Sequence, residues 1–146
     1  MELQRFLPYQ LVVLADAVSR SIAQVYAERF DLSRDEWRVL AALAKTGTMK
    51  SRDAALYATL DKMQVSRAVA GLERAGLLTR TIDPEDRRNR ILELTASGRE
   101  LLRKLVPMVE AREAFLLEAL APEERAQLQS MIGRLTERAQ QLERHG

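Results

Sequence analysis

The residues most suggestive of chemistry form one octet, Asp83-Pro84-Glu85-Asp86-Arg87-Arg88-Asn89-Arg90. Three arginines crowded into a polar turn repel one another unless acids or a polyanion offset them. An arginine projecting from a hairpin tip can enter a narrow, electronegative minor groove of DNA. Asp86 is placed to hold a neighbouring guanidinium by a bidentate pair. The competing reading is an exposed ion-pair cluster, each pair worth about 0–1 kcal/mol. A second set, Lys62, Gln64, Ser66 and Arg67, follows a helix start at Asp61. Gln can pair adenine bidentately and Arg guanine, while Lys and Ser suit phosphates. A third set, Ser51 and Arg52, opens the preceding helix. Either its free N–H groups and the Ser51 hydroxyl face a phosphate, or Ser51 is a plain N-cap.

The rest of the composition removes other chemistries. The chain has 146 residues, of which 47% are hydrophobic, enough for one domain or a domain with a small lobe. It has no Cys, which excludes disulfides, thiolate catalysis, Cys-ligated zinc and thiol redox sensing. Its one histidine, His145, is next to the C-terminal residue, leaving no Ser-His-Asp arrangement or multi-histidine metal site. Glu85 and Asp86 are paired carboxylates, but no base, nucleophile or phosphate loop accompanies them, so the chain does not read as an enzyme and no cofactor is implied. No apolar run approaches the ~20 residues of a membrane span, and the first ten residues do not resemble a signal peptide. The expected compartment is the cytoplasm, with no membrane partner. Net charge is only +2, but Lys45 to Arg90 carries ten basic and six acidic residues. That stretch is +4 and the remainder −2. A basic centre suggests a polyanion-binding surface, against the alternative of chance clustering on a solvated face.

The elements that must position these residues follow from periodicity. Leu11, Leu14, Ala15, Val18, Ile22, Val25 and Tyr26 make one apolar stripe, so Leu7 to Phe30 reads as a helix, with Pro8 in its first turn. Ser33-Arg34-Asp35-Glu36 is a capping box for a second helix with Trp37, Leu40, Ala41 and Ala44 inward and Gly47 as its stop. Ser51 caps a short third helix, Arg52 to Ala58, with Ala54, Ala55 and Leu56 inward. Asp61-Lys62-Met63-Gln64 is another capping box. Its helix turns Val65, Ala68, Val69 and Leu72 to the core and closes at Gly76. The period then changes. Leu77 to Ile82 and Arg90 to Leu94 read as two strands of a hairpin. Thr95 caps a helix running to about Leu120, interrupted by Pro107, which should kink it or leave a carbonyl unpaired. Pro122 opens the last helix, with Leu128, Met131, Ile132, Leu135 and Leu142 on its stripe.

The order is therefore α-α-α-α-β-β-α-α, mainly α with a small β-hairpin. Its middle, residues 33–95, has the plan of a winged helix-turn-helix. Residues 1–32 and 96–146 make a helical lobe too apolar to stand alone, and a second copy about a two-fold axis is the simplest partner. Met49 and Met63 read as packing residues, and Trp37 as core before ligand contact. Arg20, Tyr9 and Tyr26 stay open between interface, surface and pocket.

Several strings carry a likeness to a family. They are Leu32-Ser33-Arg34-Asp35-Glu36-Trp37-Arg38-Val39-Leu40 and Asp61-Lys62-Met63-Gln64-Val65-Ser66-Arg67. Leu72-Glu73-Arg74-Ala75-Gly76-Leu77-Leu78, Asp83-Pro84-Glu85-Asp86-Arg87-Arg88 and Leu92-Glu93-Leu94-Thr95-Ala96-Ser97-Gly98 follow. In order and spacing the chain resembles the multiple-antibiotic-resistance regulator (MarR) family of bacterial transcription factors. The resemblance covers about Leu7 to Leu142. It implies a homodimer held by the first, fifth and sixth helices and binding a pseudo-palindromic operator in double-stranded DNA. It implies Ser66 and Arg67 in the recognition helix, Arg88 as the minor-groove arginine and Asp86 as the acid orienting it. Many members are repressors released by small aromatic or phenolic acids, which makes Arg20, Trp37 and Arg38 effector-pocket candidates. The Cys-based peroxide-sensing branch and the metal-sensing members, with their His or Cys clusters, do not fit. The alternative function is a winged-helix dimer serving as a protein–protein adaptor without specific DNA binding.

Overall fold

The computed structural model describes residues 1–146. A 3-10 turn at Leu3–Arg5 leads into α1, Leu7–Tyr26. Then come α2 (Arg34–Leu43), β1 (Thr48–Lys50), α3 (Ser51–Ala58), α4 (Lys62–Arg74), β2 (Leu78–Ile82), β3 (Arg90–Leu94), α5 (Ala96–Leu117) and α6 (Pro122–His145). The chain divides into two compact units, Met1–Val109 and Glu110–Gly146.

Local rules account for most boundaries in the first unit. Pro8 lies in the first turn of α1. That helix ends at Tyr26, short of Phe30, because Asp31 turns to positive φ and the Leu32 N–H reaches the Tyr26 carbonyl at 2.9 Å. Both expected capping boxes are present. Ser33 Oγ accepts from the Glu36 N–H and Glu36 Oε1 from the Ser33 N–H. Asp61 Oδ1 accepts from the Gln64 N–H and Gln64 Oε1 from the Asp61 N–H. The start of α3 differs from expectation. Lys50 is the N-cap, without a side-chain cap bond, and Ser51 is the first helical residue. Leu56 also differs, being 76% exposed, because the inward positions of α3 are Ala54 and Ala58, one turn apart.

The expected hairpin is a three-stranded antiparallel sheet of order β1-β3-β2. Met49 pairs with Leu92 on one side of β3, and Arg80 pairs with Leu92 on the other. Three residues are too few to show the two-residue alternation that announces a strand. Around this sheet one core gathers Val25 of α1, Val39, Leu40 and Leu43 of α2, Leu72 of α4, Leu78 and Leu92 of the sheet, and Leu105 of α5. The sheet fixes the start of α5. Thr95 Oγ1 donates to the Gly76 carbonyl and accepts the Gly98 N–H. The helix then passes so close to the chain at Leu77 that a Cβ on Gly98 would lie 2.1 Å from its carbonyl oxygen.

Pro107 lies inside α5, where its missing N–H leaves the Arg103 carbonyl without its usual donor. The helix stops at Leu117 rather than Leu120. Arg125 explains the stop, since its Nε donates to the carbonyls of Leu117 and Leu120 at 2.9 and 3.1 Å. In the second unit no residue from Glu110 to Gly146 is buried. No helix of the chain is long and apolar enough to cross a membrane.

The helices α3 and α4 end in the same way with different residues. At the end of α4 the Leu77 N–H bonds the Leu72 carbonyl and the Gly76 N–H that of Glu73, with Gly76 at φ +75°. At the end of α3 the Leu60 N–H bonds Ala55 and the Thr59 N–H bonds Leu56, with Thr59 at φ +56°. This is the Schellman arrangement, whose left-handed residue is favourable for glycine and strained for a β-branched side chain. Thr59→Gly should therefore raise stability by about 1 kcal/mol. Thermal or urea denaturation checks this, and an unchanged or lower midpoint would show that Thr59 bears no such strain.

Candidate nucleic-acid interface

The helix expected to offer side chains to a groove is α4. Val65, Ala68, Val69 and Leu72 turn inward, which fixes the opposite face toward solvent. Lys62, Met63, Ser66 and Arg67 are exposed there. Met63 is 68% exposed, so the packing role expected for it does not hold; it points away from the core side of α4. Gln64 is half-buried, and its Oε1 is engaged by the Asp61 N–H. A bidentate adenine contact needs that same oxygen turned outward, so in this conformation Gln64 serves the helix start. Arg67 and Arg74 line an open groove of about 390 Å³ beside Ser33, Asp35, Glu36 and Gln64.

The wing is built by two aspartates that fold the loop on themselves. Asp83 Oδ1 accepts the Glu85 N–H at 2.9 Å, and Asp86 Oδ1 accepts the Arg88 N–H at 3.1 Å. Each is an Asx turn, in which a short carboxylate substitutes for a backbone carbonyl. Asp86 Oδ1 also takes Arg88 Nε at 3.3 Å. One oxygen thus holds both groups, in place of the bidentate pair expected from sequence. The Arg88 side chain remains 92% exposed. Arg87 is exposed as well, whereas Arg90 folds its Nη1 back onto the carbonyls of Arg87 and Asn89.

The wing base is not the exposed turn expected from its composition. Asp83 and Asn89 are buried, at 1% and 6% exposure. Asn89 Oδ1 accepts from Ser51 Oγ, from the Arg52 N–H at 3.2 Å and from the Arg90 N–H at 3.0 Å. Two backbone donors aimed at one atom identify it as the amide oxygen. Ser51 Oγ in turn accepts the Arg90 N–H at 3.1 Å. Ser51 is therefore neither a helix cap nor a free hydroxyl; its proton goes to Asn89. Lys50 Nζ lies between Asp83 Oδ2 at 3.3 Å and Glu85 Oε2 at 3.2 Å. Lys50, Asp83 and Asn89 are the residues that sequence reading missed. The available signal was the placement of Thr48-Met49-Lys50 between a glycine stop and a helix start.

These contacts set the charge states. Donation from the Glu85 N–H, helped by Lys50, holds the Asp83 carboxyl below the usual range although burial opposes it. The Arg88 N–H and side chain do the same for Asp86. Glu85 and then Asp83 raise the Lys50 ammonium.

The effector candidates lie elsewhere in the first unit. Trp37 is half-buried and stacked on Tyr26, ring centroids 6.0 Å apart and 9° from parallel. Arg38 Nη1 reaches the Ala58 carbonyl at 3.5 Å. Arg20 stands on the exposed face of α1.

This arrangement has counterparts among known proteins. The sequence profile of the MarR family matches residues 30–89. The HTH-type transcriptional regulator YdcH of Bacillus subtilis is 30% identical over 109 residues, which cover 71% of this chain and 74% of that protein. The chain belongs to the MarR family. A MarR/EmrR family regulator from an Acinetobacter species superimposes with a TM-score of 0.83 at 26% identity, covering 97% of this chain and 99% of that one. The structure of NadR in complex with 4-hydroxyphenylacetate superimposes with a TM-score of 0.73 at 25% identity, covering 86% and 89%. The protein thus has the winged helix of MarR-family transcriptional regulators, and the relatives are regulators rather than enzymes.

Two outcomes follow from the wing base. Asn89→Ala strands several buried donors at once and should cost about 1–3 kcal/mol, read by thermal denaturation. Arg88→Ala should leave stability unchanged, since its side chain is solvated; equal losses in both variants would mean that Asn89 is not the anchor. Because Asp83 has a depressed folded pKa, its contribution is full above the ordinary carboxylate range and disappears as pH falls through the folded value. Stability measured from pH 6 to 2.5 should therefore fall less steeply in Asp83→Asn than in the parent chain. Parallel acid limbs would show that Asp83 carries no such linkage.

Proposed function

We propose that the protein is a dimeric, sequence-specific DNA-binding repressor released by a small aromatic or phenolic acid. Arg88 carries the DNA reading. Asp86 holds its backbone N–H and its Nε while the side chain stays 92% exposed at the wing tip. A guanidinium so held is ready for a minor groove. Arg67 on α4 is assigned to a base edge in the major groove, with Lys62, Ser66, Arg52 and Arg87 to phosphates. Ser51, Gln64, Asp86 and Arg90 hold these groups in place.

The dimer reading is supported by apolar surface without a partner in one chain. Leu7, Leu11, Val12, Val13 and Leu14 are exposed on α1, and Met131, Ile132, Leu135 and Leu142 on α6. A self-complementary pairing of such faces would bury them and set two reading heads about a two-fold axis. Half-sites would then lie about 10 bp apart, or a near multiple. The NadR complex supports a small aromatic acid as the effector class, with Arg20, Trp37 and Arg38 as the residues to test.

If each subunit neutralises ~4 phosphates, the log–log dependence of affinity on salt should have a slope of about −7. Fluorescence anisotropy on a duplex selected from genomic fragments measures it. A slope near −2, or operator affinity unchanged by Arg88→Ala, would overturn the two-headed, winged geometry. A monomer in sedimentation velocity at micromolar concentration would overturn the dimer.

A further inference from the structure

Met63 is an apolar side chain in the middle of a polar reading face. It is the second residue of α4 and is 68% exposed. Ser66 and Arg67, three and four residues on, share its face and are exposed too. Leu72, nine residues on, lies about 180° round the helix and is fully buried. Core packing therefore gives no reason for an apolar residue at position 63. An exposed thioether in a surface of lysine, serine and arginine offers an apolar contact to whatever that surface meets.

In the major groove that counterpart is the C5-methyl group of thymine, the one apolar mark on any base edge. We propose that Met63 is a specificity-determining residue that reads a thymine methyl in each half-site. Its flexible side chain fits a methyl whose position shifts with local DNA shape. Lys62 beside it anchors the helix end to a phosphate, and Arg67 one turn on reads the neighbouring base pair. The assignment rests on the DNA-binding reading above and adds to it the base that the first turn of α4 prefers.

The test uses the full-length protein and a duplex selected from genomic fragments. Each thymine is replaced singly, in both half-sites, by deoxyuridine, which removes only the C5-methyl. At one thymine per half-site the parent protein should lose about fourfold in affinity per half-site, the scale of one buried methyl group. Met63→Ala should bind the unmodified duplex weaker by a similar factor and no longer distinguish it from the deoxyuridine version. Met63→Leu should restore the distinction. Operator-selective binding that is indifferent to every thymine methyl would overturn the assignment while leaving the DNA reading intact. So would a Met63→Ala variant that keeps the parent's full discrimination. Failure of the parent protein to select any duplex would remove the DNA reading, and this assignment with it.

Discussion

The amide oxygen of Asn89 is the point where α3, β3 and the wing loop meet, and it adds to the β1–β3 pairing that already ties α3 to the sheet. Its donors come from the first two residues of α3 and the first residue of β3. The wing loop hangs from the same residue, because the Asn89 carbonyl accepts the Asp83 N–H and the Asn89 N–H donates to the Asp86 carbonyl. A wing tied to α3 is tied to α4, since both helices pack on the core that includes Leu72. Two reading elements on one rigid body can be registered on DNA together. On separate hinges each would lose orientational entropy on binding.

The wing also shows how a basic surface is kept from repelling itself. Asp83, Glu85 and Asp86 all precede the arginines in the loop, and they do not neutralise them one for one. Asp83 and Glu85 take Lys50 at the base, Asp86 takes one edge of Arg88, and Arg90 is satisfied by carbonyls. The acids are therefore used on backbone amides and on the cations that build the loop. The positive charge left over lies at the tip, where Arg87 and Arg88 are exposed.

Much of this was legible in the sequence because it follows from short-range rules. The capping boxes at Ser33 and Asp61 require residues three apart, and both formed as their patterns imply. The inward faces of α2 and α4 require only the helical period. The errors arose where long-range partners decided the outcome. Ser51 has the look of a cap, yet Asn89, distant in sequence, takes its hydroxyl. Met63 is the exception: its apolar type suggests packing, but the short-range helical phase places it opposite Leu72. Thr48-Met49-Lys50 is a strand only because β3 has an open edge beside it. Asp83 and Asn89 look solvated in a string of charges, and only the sheet buries them. Thr59 occupies a left-handed site that residue preference would give to glycine, so no local rule announced it.

In the proposed dimer, the exposed apolar surfaces of α1 and α6 would connect this local architecture to regulation. A unit of 37 residues with no buried side chain has too little core to be stable by itself. In the proposed dimer its folding free energy comes from the second copy, so folding and association are one equilibrium and depend on concentration. The same apolar pairing would set the distance between two rigid reading heads. In the proposed dimer an effector would act by binding more tightly to a form whose heads are wrongly spaced, and could shift the equilibrium only by that difference in affinity. A release of about a hundredfold would need about 2.7 kcal/mol of such a difference, a small amount beside what the burial of several leucine-sized side chains can supply.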